Sequence, residues 1–173
     1  MNDAAKRLIK LQHDHQMRFQ FINIGKQHDE ALKKAIDDFT KRINNYYACE
    51  WLIIPPVKNA ISLSEAELKK QEAKTIMSKV NKDDFLILLD ETGKQLSSVE
   101  LADFILQKTN IATRSLVFLI GGAFGVSDEI KQRANFIWSL SKLVFPHMIA
   151  RLILAEQVYR ACTILRNEKY HHQ

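Results

Sequence analysis

The chain has 173 residues, of which 46% are hydrophobic and 26% are charged, a composition that suits one compact domain and leaves little room for two. Its formal net charge of +5 favours an anionic partner, and nucleic acid is preferred over a membrane because no stretch has the pattern of a basic amphipathic anchor. The sequence shows neither a run of 18 apolar residues nor a secretory signal, so we expect a cytoplasmic protein.

The first part of the chain alternates between strand and helix patterns. Residues 19–24 (FQFINI) alternate in the strand manner, and apolar residues recur at helical spacing within residues 29–43. A second strand, WLII at residues 51–54, is closed by Pro55 and Pro56, which cannot continue a central strand.

The middle of the chain continues this alternation. A helix is predicted to begin near Ser62, where Glu65 completes a capping box, and to run to about Val80. DFLILLD at residues 84–90 is an almost uninterrupted apolar run, as expected of a parallel strand covered on both faces. SSVE at residues 97–100 then predicts another helix that begins with a capping box.

The last part of the chain contributes two more strands. SLVFLIGG at residues 115–122 is a buried strand, SDEIKQRAN at 127–135 a short helix, NFIWSLS at 135–141 a strand, and residues 146–166 the last and most apolar helix. Strands alternating with helices throughout one chain predict an α/β fold with a mostly parallel sheet.

Ligands of parallel α/β sheets bind at the carboxyl ends of the strands, which directs attention to Asp90, Gly121 and the residues after Trp138. Gly121 and Gly122 lie at such an end, where a bare backbone lets a ligand approach closely. The same pair is equally compatible with a tight strand-to-helix turn that binds nothing, and at this point both interpretations stay open.

The common nucleotide-binding motifs are absent from the sequence. No G-x-G-x-x-G pattern occurs, and Gly93-Lys94 does not belong to a P-loop because Gln95 replaces the magnesium-binding hydroxyl residue and Leu88 stands where the first glycine should be. The two cysteines, Cys49 and Cys162, are far apart in sequence, and we expect both to be buried thiols rather than ligands of a metal.

The last third of the chain carries the most specific pattern. The segment WSLSKLVFPHMIARLILAEQVYRA at residues 138–161, with a tail ending YHHQ, resembles the ribosomal RNA large subunit methyltransferase H family, the pseudouridine N3-methyltransferases of the knotted SPOUT class. LLDETGKQLSS at residues 88–98 and LIGG at residues 119–122 match in the same order. The resemblance covers residues 18–173, which we expect to form a single methyltransferase domain, and we expect residues 1–17 to be a dispensable extension.

The resemblance implies a SPOUT fold with a deep trefoil knot in its C-terminal part, and S-adenosylmethionine as the cofactor, bent in the loops of the knot and held largely by backbone groups. No metal is implied, because the donor carries its own activated methyl group on a sulfonium. Matched by motif, the donor would be bound by Leu89, Gly121, Leu140, Ser141, Lys142, Leu143, Val144 and Phe145.

Four residues in family-matching positions are the catalytic candidates: His147, Arg151, Tyr170 and His171. The resemblance assigns acceptor binding or removal of a proton to Tyr170 and His171, and assigns Arg151 to shaping the site or contacting an RNA phosphate. Two alternatives remain: His147 only packs or caps at the start of the last helix, and His171 belongs to a frayed tail. For Glu156, an ion pair with Arg160 four residues on is the simplest account.

The resemblance also implies partners. Members of the family are homodimers packed through the last helix, and their substrate is large-subunit RNA in the assembled ribosome. A non-catalytic ribosome-binding module of the same fold and a SPOUT enzyme that acts on transfer RNA are the two alternatives. The cations available for RNA contact concentrate in the last third: Lys131, Arg133, Lys142, Arg151, Arg160, Arg166 and Lys169.

Overall fold

Five strands form one parallel sheet in the computed structural model, which describes residues 17–27 and 30–170. The strands are β1 (Arg18–Ile24), β2 (Cys49–Ile54), β3 (Phe85–Gln95), β4 (Ser115–Ile120) and β5 (Phe136–Ser139), and they lie in the order β2-β1-β4-β3-β5. The helices are α1 (Glu30–Ile43), α2 (Glu65–Met77), α3 (Ser98–Asn110), α4 (Asp128–Arg133) and α5 (His147–Leu165), with a 3-10 turn at Ala60–Ser62.

The sheet separates two hydrophobic cores. On one face, α1, α3 and α5 pack against side chains such as Phe19 and Phe118. On the other face, α2 and α4 pack against side chains such as Ile22 and Leu119. Every residue of β4 is buried because this strand lies in the middle of the sheet and is covered on both faces. The predicted α/β fold with a parallel sheet is therefore confirmed.

The helix starts test the predicted capping boxes. The box at Ser97 and Glu100 is confirmed, since each residue's side chain bonds the other's backbone amide. The predicted box at Ser62 and Glu65 is wrong, because residues 60–62 form a 3-10 turn and the box lies two residues later, at Ser64 and Glu67. The helix also ends at Met77 rather than near Val80.

Strand β3 continues to Gln95, five residues beyond the end of the strand predicted at residues 84–90. It pairs with β5 on both sides of a register shift, so that Leu89 and Lys94 both oppose Trp138. Gly93 makes this second pairing possible, because a Cβ there would lie 2.6 Å from the carbonyl oxygen of Ile137. The intervening residues 90–93 have no partner in the β3–β5 register, and residues 90–92 line the cleft described below.

The burial of single residues completes the description of the fold. Cys49 and Cys162 are buried free thiols, as expected, and burial raises the pKa of both. The side chain of Met17 is only 2% exposed and packs in a hydrophobic core, so a truncated protein has to retain Met17 to keep this packing.

No helix in the part of the chain that the structure describes is long and apolar enough to span a membrane.

Candidate active site

A cleft of about 450 Å³ opens at the carboxyl ends of β3 and β4. Its walls come from the end of β3, the glycine turn after β4, the loop between β5 and α5, and the start of α5. The residues that line it are Lys69, Leu88–Thr92, Ile120–Val126, Lys131, Leu140, Ser141, Leu143–Phe145, His147 and Ala150.

The glycine turn, residues 121–125, forms one wall of this cleft, and neither Gly121 nor Gly122 has room for a side chain. A Cβ on Gly121 would lie 2.7 Å from Cγ1 of Val126, and a Cβ on Gly122 would lie 2.5 Å from Oε2 of Glu72. The amide of Gly125 donates to the carbonyl of Gly122 at 3.0 Å and closes the turn. Gly121 and Gly122 thus belong to a tight turn and also form a cleft wall without side chains, the two interpretations that the sequence left open.

Polar groups are concentrated on the β3 side of the cleft. Oδ1 of Asp90 accepts hydrogen bonds from the amide of Thr92 at 2.9 Å and from its hydroxyl at 2.6 Å. Nζ of Lys131 lies 3.8 Å from Oδ2 of Asp90. Partial burial opposes ionisation of this carboxyl, but the Thr92 hydrogen bonds and the Lys131 charge outweigh it and lower the pKa of Asp90. Asp90 is therefore an anion in the cleft at neutral pH.

The structure brings seven of the eight predicted donor-binding residues together. Leu89, Gly121, Leu140, Ser141, Leu143, Val144 and Phe145 all line the cleft, whereas Lys142 is exposed and does not. The loop that carries six of the eight is shaped by its own serines. Ser139 donates its hydroxyl proton to the carbonyl of Ser141 at 2.8 Å, and the amide of Leu143 donates to the hydroxyl of Ser141 at 3.0 Å.

His147 and Arg151 lie one turn apart at the start of α5. His147 lines the cleft, and burial, together with the charge of Arg151, lowers its pKa, so the ring is neutral at physiological pH. Arg151 is only 2% exposed and donates a hydrogen bond to the carbonyl of Lys26 at 2.9 Å. This burial favours the shaping role for Arg151 over contact with an RNA phosphate.

The lowered pKa of His147 has a measurable consequence for stability. Below the ordinary histidine pKa of about 6.5, the unfolded chain binds a proton that the folded chain resists, so the free energy of unfolding falls as the pH falls. We expect His147→Gln to lose less stability than the wild type between about pH 7.5 and about pH 5.5 in urea unfolding. Equal losses in the two proteins would contradict this assignment.

Tyr170 lies away from the cleft, beside the second half of α5. Its hydroxyl donates to Oε1 of Glu156 at 3.2 Å, and its ring packs against Tyr159 with centroids 4.8 Å apart. The predicted ion pair between Glu156 and Arg160 is confirmed, with Nε 2.9 Å from Oε1. Ala150 is the last residue of α5 that lines the cleft, and Glu156 follows it by six residues, about 9 Å along a helix. Tyr170 is not among the residues that line the cleft of its own chain. His171 lies outside the described residues.

Comparison with known proteins identifies the family. The family model described as "Predicted SPOUT methyltransferase" matches residues 17–171. A ribosomal RNA large subunit methyltransferase H from Flavobacterium johnsoniae is 45% identical over 157 residues, covering 91% of this chain and all of that protein. One from Cytophaga hutchinsonii is 46% identical over 156 residues, covering 90% of this chain and all of that protein. The chain belongs to the ribosomal RNA large subunit methyltransferase H family.

Membership of this SPOUT family makes the chain a methyltransferase whose methyl donor is S-adenosylmethionine. A solved structure, the "Probable Methyltransferase from Bordetella pertussis Tohama I", aligns with a TM-score of 0.51 over 88% of this chain and 99% of that chain. At 13% identity this likeness concerns the fold alone. Within residues 17–27 and 30–170, no group of three or more His, Cys, Asp or Glu residues could hold a metal ion.

The motif match missed several residues of the cleft. Thr92 and Lys131 partner Asp90, and Phe124 stands at the cleft with 56% of its surface exposed. The sequence did point to Asp90, because it stands at the end of a predicted strand. Nothing in the sequence pointed to Glu72, because it lies on α2, far from the glycine turn along the chain, and only the fold brings it behind that turn.

Proposed function

We propose that the chain transfers a methyl group from S-adenosylmethionine to N3 of a pseudouridine in the large-subunit RNA of the assembled ribosome, in the cytoplasm. One observation carries the proposal: seven residues matched by motif to the donor site line a single cleft, in a chain whose curated relatives are named ribosomal RNA large subunit methyltransferase H. The net charge of +5 is compatible with an RNA substrate, because cationic side chains bind the phosphates of nucleic acids.

The residues of the cleft fit the donor. A volume of about 450 Å³ lies in the range that encloses a ligand of this size. The glycine turn offers backbone groups at close range, and the apolar side chains of Leu89 and Leu140 suit a nucleobase. Asp90 offers carboxylate oxygens that can accept hydrogen bonds from polar groups of the donor. We assign donor binding to the eight residues 89, 121 and 140–145, although Lys142 does not line the cleft.

The chemistry requires placement more than activation. The bound donor supplies an activated methyl group, so the protein has to align the acceptor nitrogen with it and exclude water. The acceptor must also lose its N3 proton. Burial and the Glu156 carboxylate raise the pKa of Tyr170, which therefore stays protonated and acts as a hydrogen-bond donor. We accordingly assign acceptor binding to Tyr170 and proton removal to His171, because histidine is the side chain that most often acts as a general base.

A homodimer forms part of the proposal. Ile149, Leu152 and Ile153 lie on α5, are partly exposed in one chain, and belong to neither of the two cores of the described residues. A second copy packed on this face would cover them. It would also let the tail of one protomer serve the cleft of the other, an arrangement that the position of Tyr170 outside its own cleft supports. We include the SPOUT trefoil knot in the same proposal.

Three of the seven cationic side chains that could contact RNA are engaged within the protein. Arg133 donates to the carbonyls of Asn81 and Asp84, Arg151 is buried, and Arg160 pairs with Glu156. These three arginines have structural roles. The remaining candidates are the partly exposed Lys131 and the exposed Lys142, Arg166 and Lys169.

A transfer assay tests the proposed function. Purified protein is incubated with S-adenosylmethionine labelled in the methyl group and with ribosomes from cells that lack this gene, beside naked ribosomal RNA and transfer RNA. We expect label in a single pseudouridine of the large-subunit RNA, and only in whole ribosomes. Label in transfer RNA would establish the alternative SPOUT activity, and binding of the donor without transfer to any substrate would favour a non-catalytic module.

A further inference from the structure

A buried carboxyl group lies directly behind the glycine wall of the cleft. Glu72 of α2 is only 8% exposed, and its carboxyl oxygens would lie 2.5 and 2.8 Å from a Cβ on Gly122. Only a glycine at position 122 lets the carboxyl come this close to the wall. Within residues 17–27 and 30–170, Glu72 has neither a hydrogen-bond partner nor an ion-pair partner.

The charged groups around Glu72 are engaged elsewhere. Lys69, one turn earlier on α2, pairs with Glu65 at 2.6 Å. Lys131 on α4 faces Asp90, whereas the glycine turn itself carries no ionisable side chain. Arg133 of α4 donates to main-chain carbonyls, and His147 across the cleft is neutral at physiological pH. None of these groups compensates a negative charge on Glu72.

An ionised carboxylate buried without a counter-charge is costly. Burial accordingly raises the pKa of Glu72, which means that the free protein resists its ionisation. A cation bound on the other side of Gly122 would reduce this cost. The cleft has a wall thin enough for such an effect, since only the backbone of a glycine separates it from the carboxyl group.

We propose that Glu72 is the counter-charge of the positively charged methyl donor and makes the cleft prefer the sulfonium cation to the neutral thioether product. The inference rests on the proposed assignment of the cleft to the donor. In the transfer, the bond from carbon to sulfur breaks, the sulfur keeps the electron pair, the bond from N3 to carbon forms, and the N3 proton goes to the base. The cation thereby disappears, Glu72 takes up a proton from solvent, and the cleft holds the product less tightly.

Calorimetric titration with S-adenosylmethionine and with S-adenosylhomocysteine tests the proposal in the absence of RNA. The quantity compared is the ratio of the two dissociation constants, product over donor, for the wild type, Glu72→Gln and Glu91→Gln. Glu91 is the matched control, because it lines the same cleft but is exposed to solvent. We expect Glu72→Gln to lower the ratio roughly five- to tenfold and Glu91→Gln to leave it nearly unchanged.

The pH dependence separates electrostatics from packing. The ratio in the wild type should rise between about pH 5.5 and about pH 8 as Glu72 ionises in the presence of the cation, and the ratio in Glu72→Gln should rise less. The charges of Lys69, Lys131, Asp90 and His147 are present in both proteins and cancel in this comparison. An unchanged ratio in Glu72→Gln, or an equal pH dependence, would overturn the inference alone. Failure of the wild type to bind either compound would overturn the proposed function and this inference with it.

A measurement of thermal stability checks that Glu72→Gln is folded. An acid whose pKa is raised in the folded state destabilises the fold as the pH rises above the unfolded-state pKa, since the unfolded chain releases its proton first. Ligand-free Glu72→Gln should therefore have a higher Tm than the wild type at about pH 8, and the difference should shrink towards about pH 4. A lower Tm at about pH 8 would show that the Glu72 carboxylate has a favourable partner and would also contradict the proposal.

Discussion

Gly93→Ala is expected to lower the free energy of unfolding by about 3 kcal/mol and to weaken binding of the methyl donor at least tenfold. The new Cβ would lie 2.6, 2.7 and 2.8 Å from the Ile137 oxygen, the Ile137 carbonyl carbon and the Trp138 carbonyl carbon. All three are backbone atoms, so no side-chain rotation relieves the contact. β5 has to move away from β3, and the loop after β5 supplies six of the proposed donor-binding residues. Urea unfolding and calorimetric titration measure the two effects.

Gly125→Ala is the matched control for this prediction. A Cβ at Gly125 meets nothing within 4 Å, but its φ of +78° is unfavourable for alanine, which costs about 1–2 kcal/mol. The control therefore measures the cost of an unfavourable φ without a clash, whereas Gly93→Ala introduces a clash at a residue whose φ is not positive. A loss of stability in Gly93→Ala no larger than in Gly125→Ala would show that β5 does not pack on β3 in the shifted register.

Leu152→Glu is expected to dissociate the proposed homodimer and to lower methyl transfer to ribosomes at least a hundredfold while leaving affinity for the methyl donor within about twofold. Leu152 lies on the partly exposed face of α5, and a charge there would be buried without a partner in a dimer. If the tail of one protomer serves the cleft of the other, the monomer retains a complete donor cleft but loses Tyr170 and His171 from it. Sedimentation equilibrium gives the mass, and the transfer assay gives the activity.

Leu106→Glu is the control for this second prediction. Leu106 is an apolar residue of α3 that is 43% exposed, and the same substitution there should change neither mass nor activity. A Leu152→Glu protein that remains a dimer, or a monomer that methylates ribosomes at the wild-type rate, would contradict the proposed arrangement.

Much of the fold was predictable because its strands are buried on both faces. DFLILLD and SLVFLI are nearly all apolar, and such short runs separated by amphipathic helices fit a parallel sheet better than any other arrangement. The helix starts were less certain because two serines competed for one cap. Ser62 and Ser64 both precede a glutamate at the right spacing, and the 3-10 turn at residues 60–62 gives the cap to Ser64.

The eight residues of the proposed donor site were predicted from resemblance rather than from periodicity, and their role in binding the donor stays a proposal. Seven of the eight lie together because the carboxyl ends of neighbouring parallel strands meet at one edge of the sheet. The proposed acceptor-binding tail, Tyr170 and His171, could not be placed relative to the cleft in the same way. Tyr170 contacts Glu156, six residues beyond the last cleft residue of α5, and the spacing of residues along a sequence does not reveal which protomer a tail serves.

The sequence by itself determined the alternation of strands and helices, the family, the glycine turn and the ion pair between Glu156 and Arg160, because each depends on residues that are close along the chain or on an ordered motif. Only the tertiary structure decided that β3 pairs with β5 across a register shift, that Arg151 is buried, and that Glu72 lies behind Gly122. These three depend on contacts between segments that are distant in sequence, and packing rather than local pattern sets such contacts.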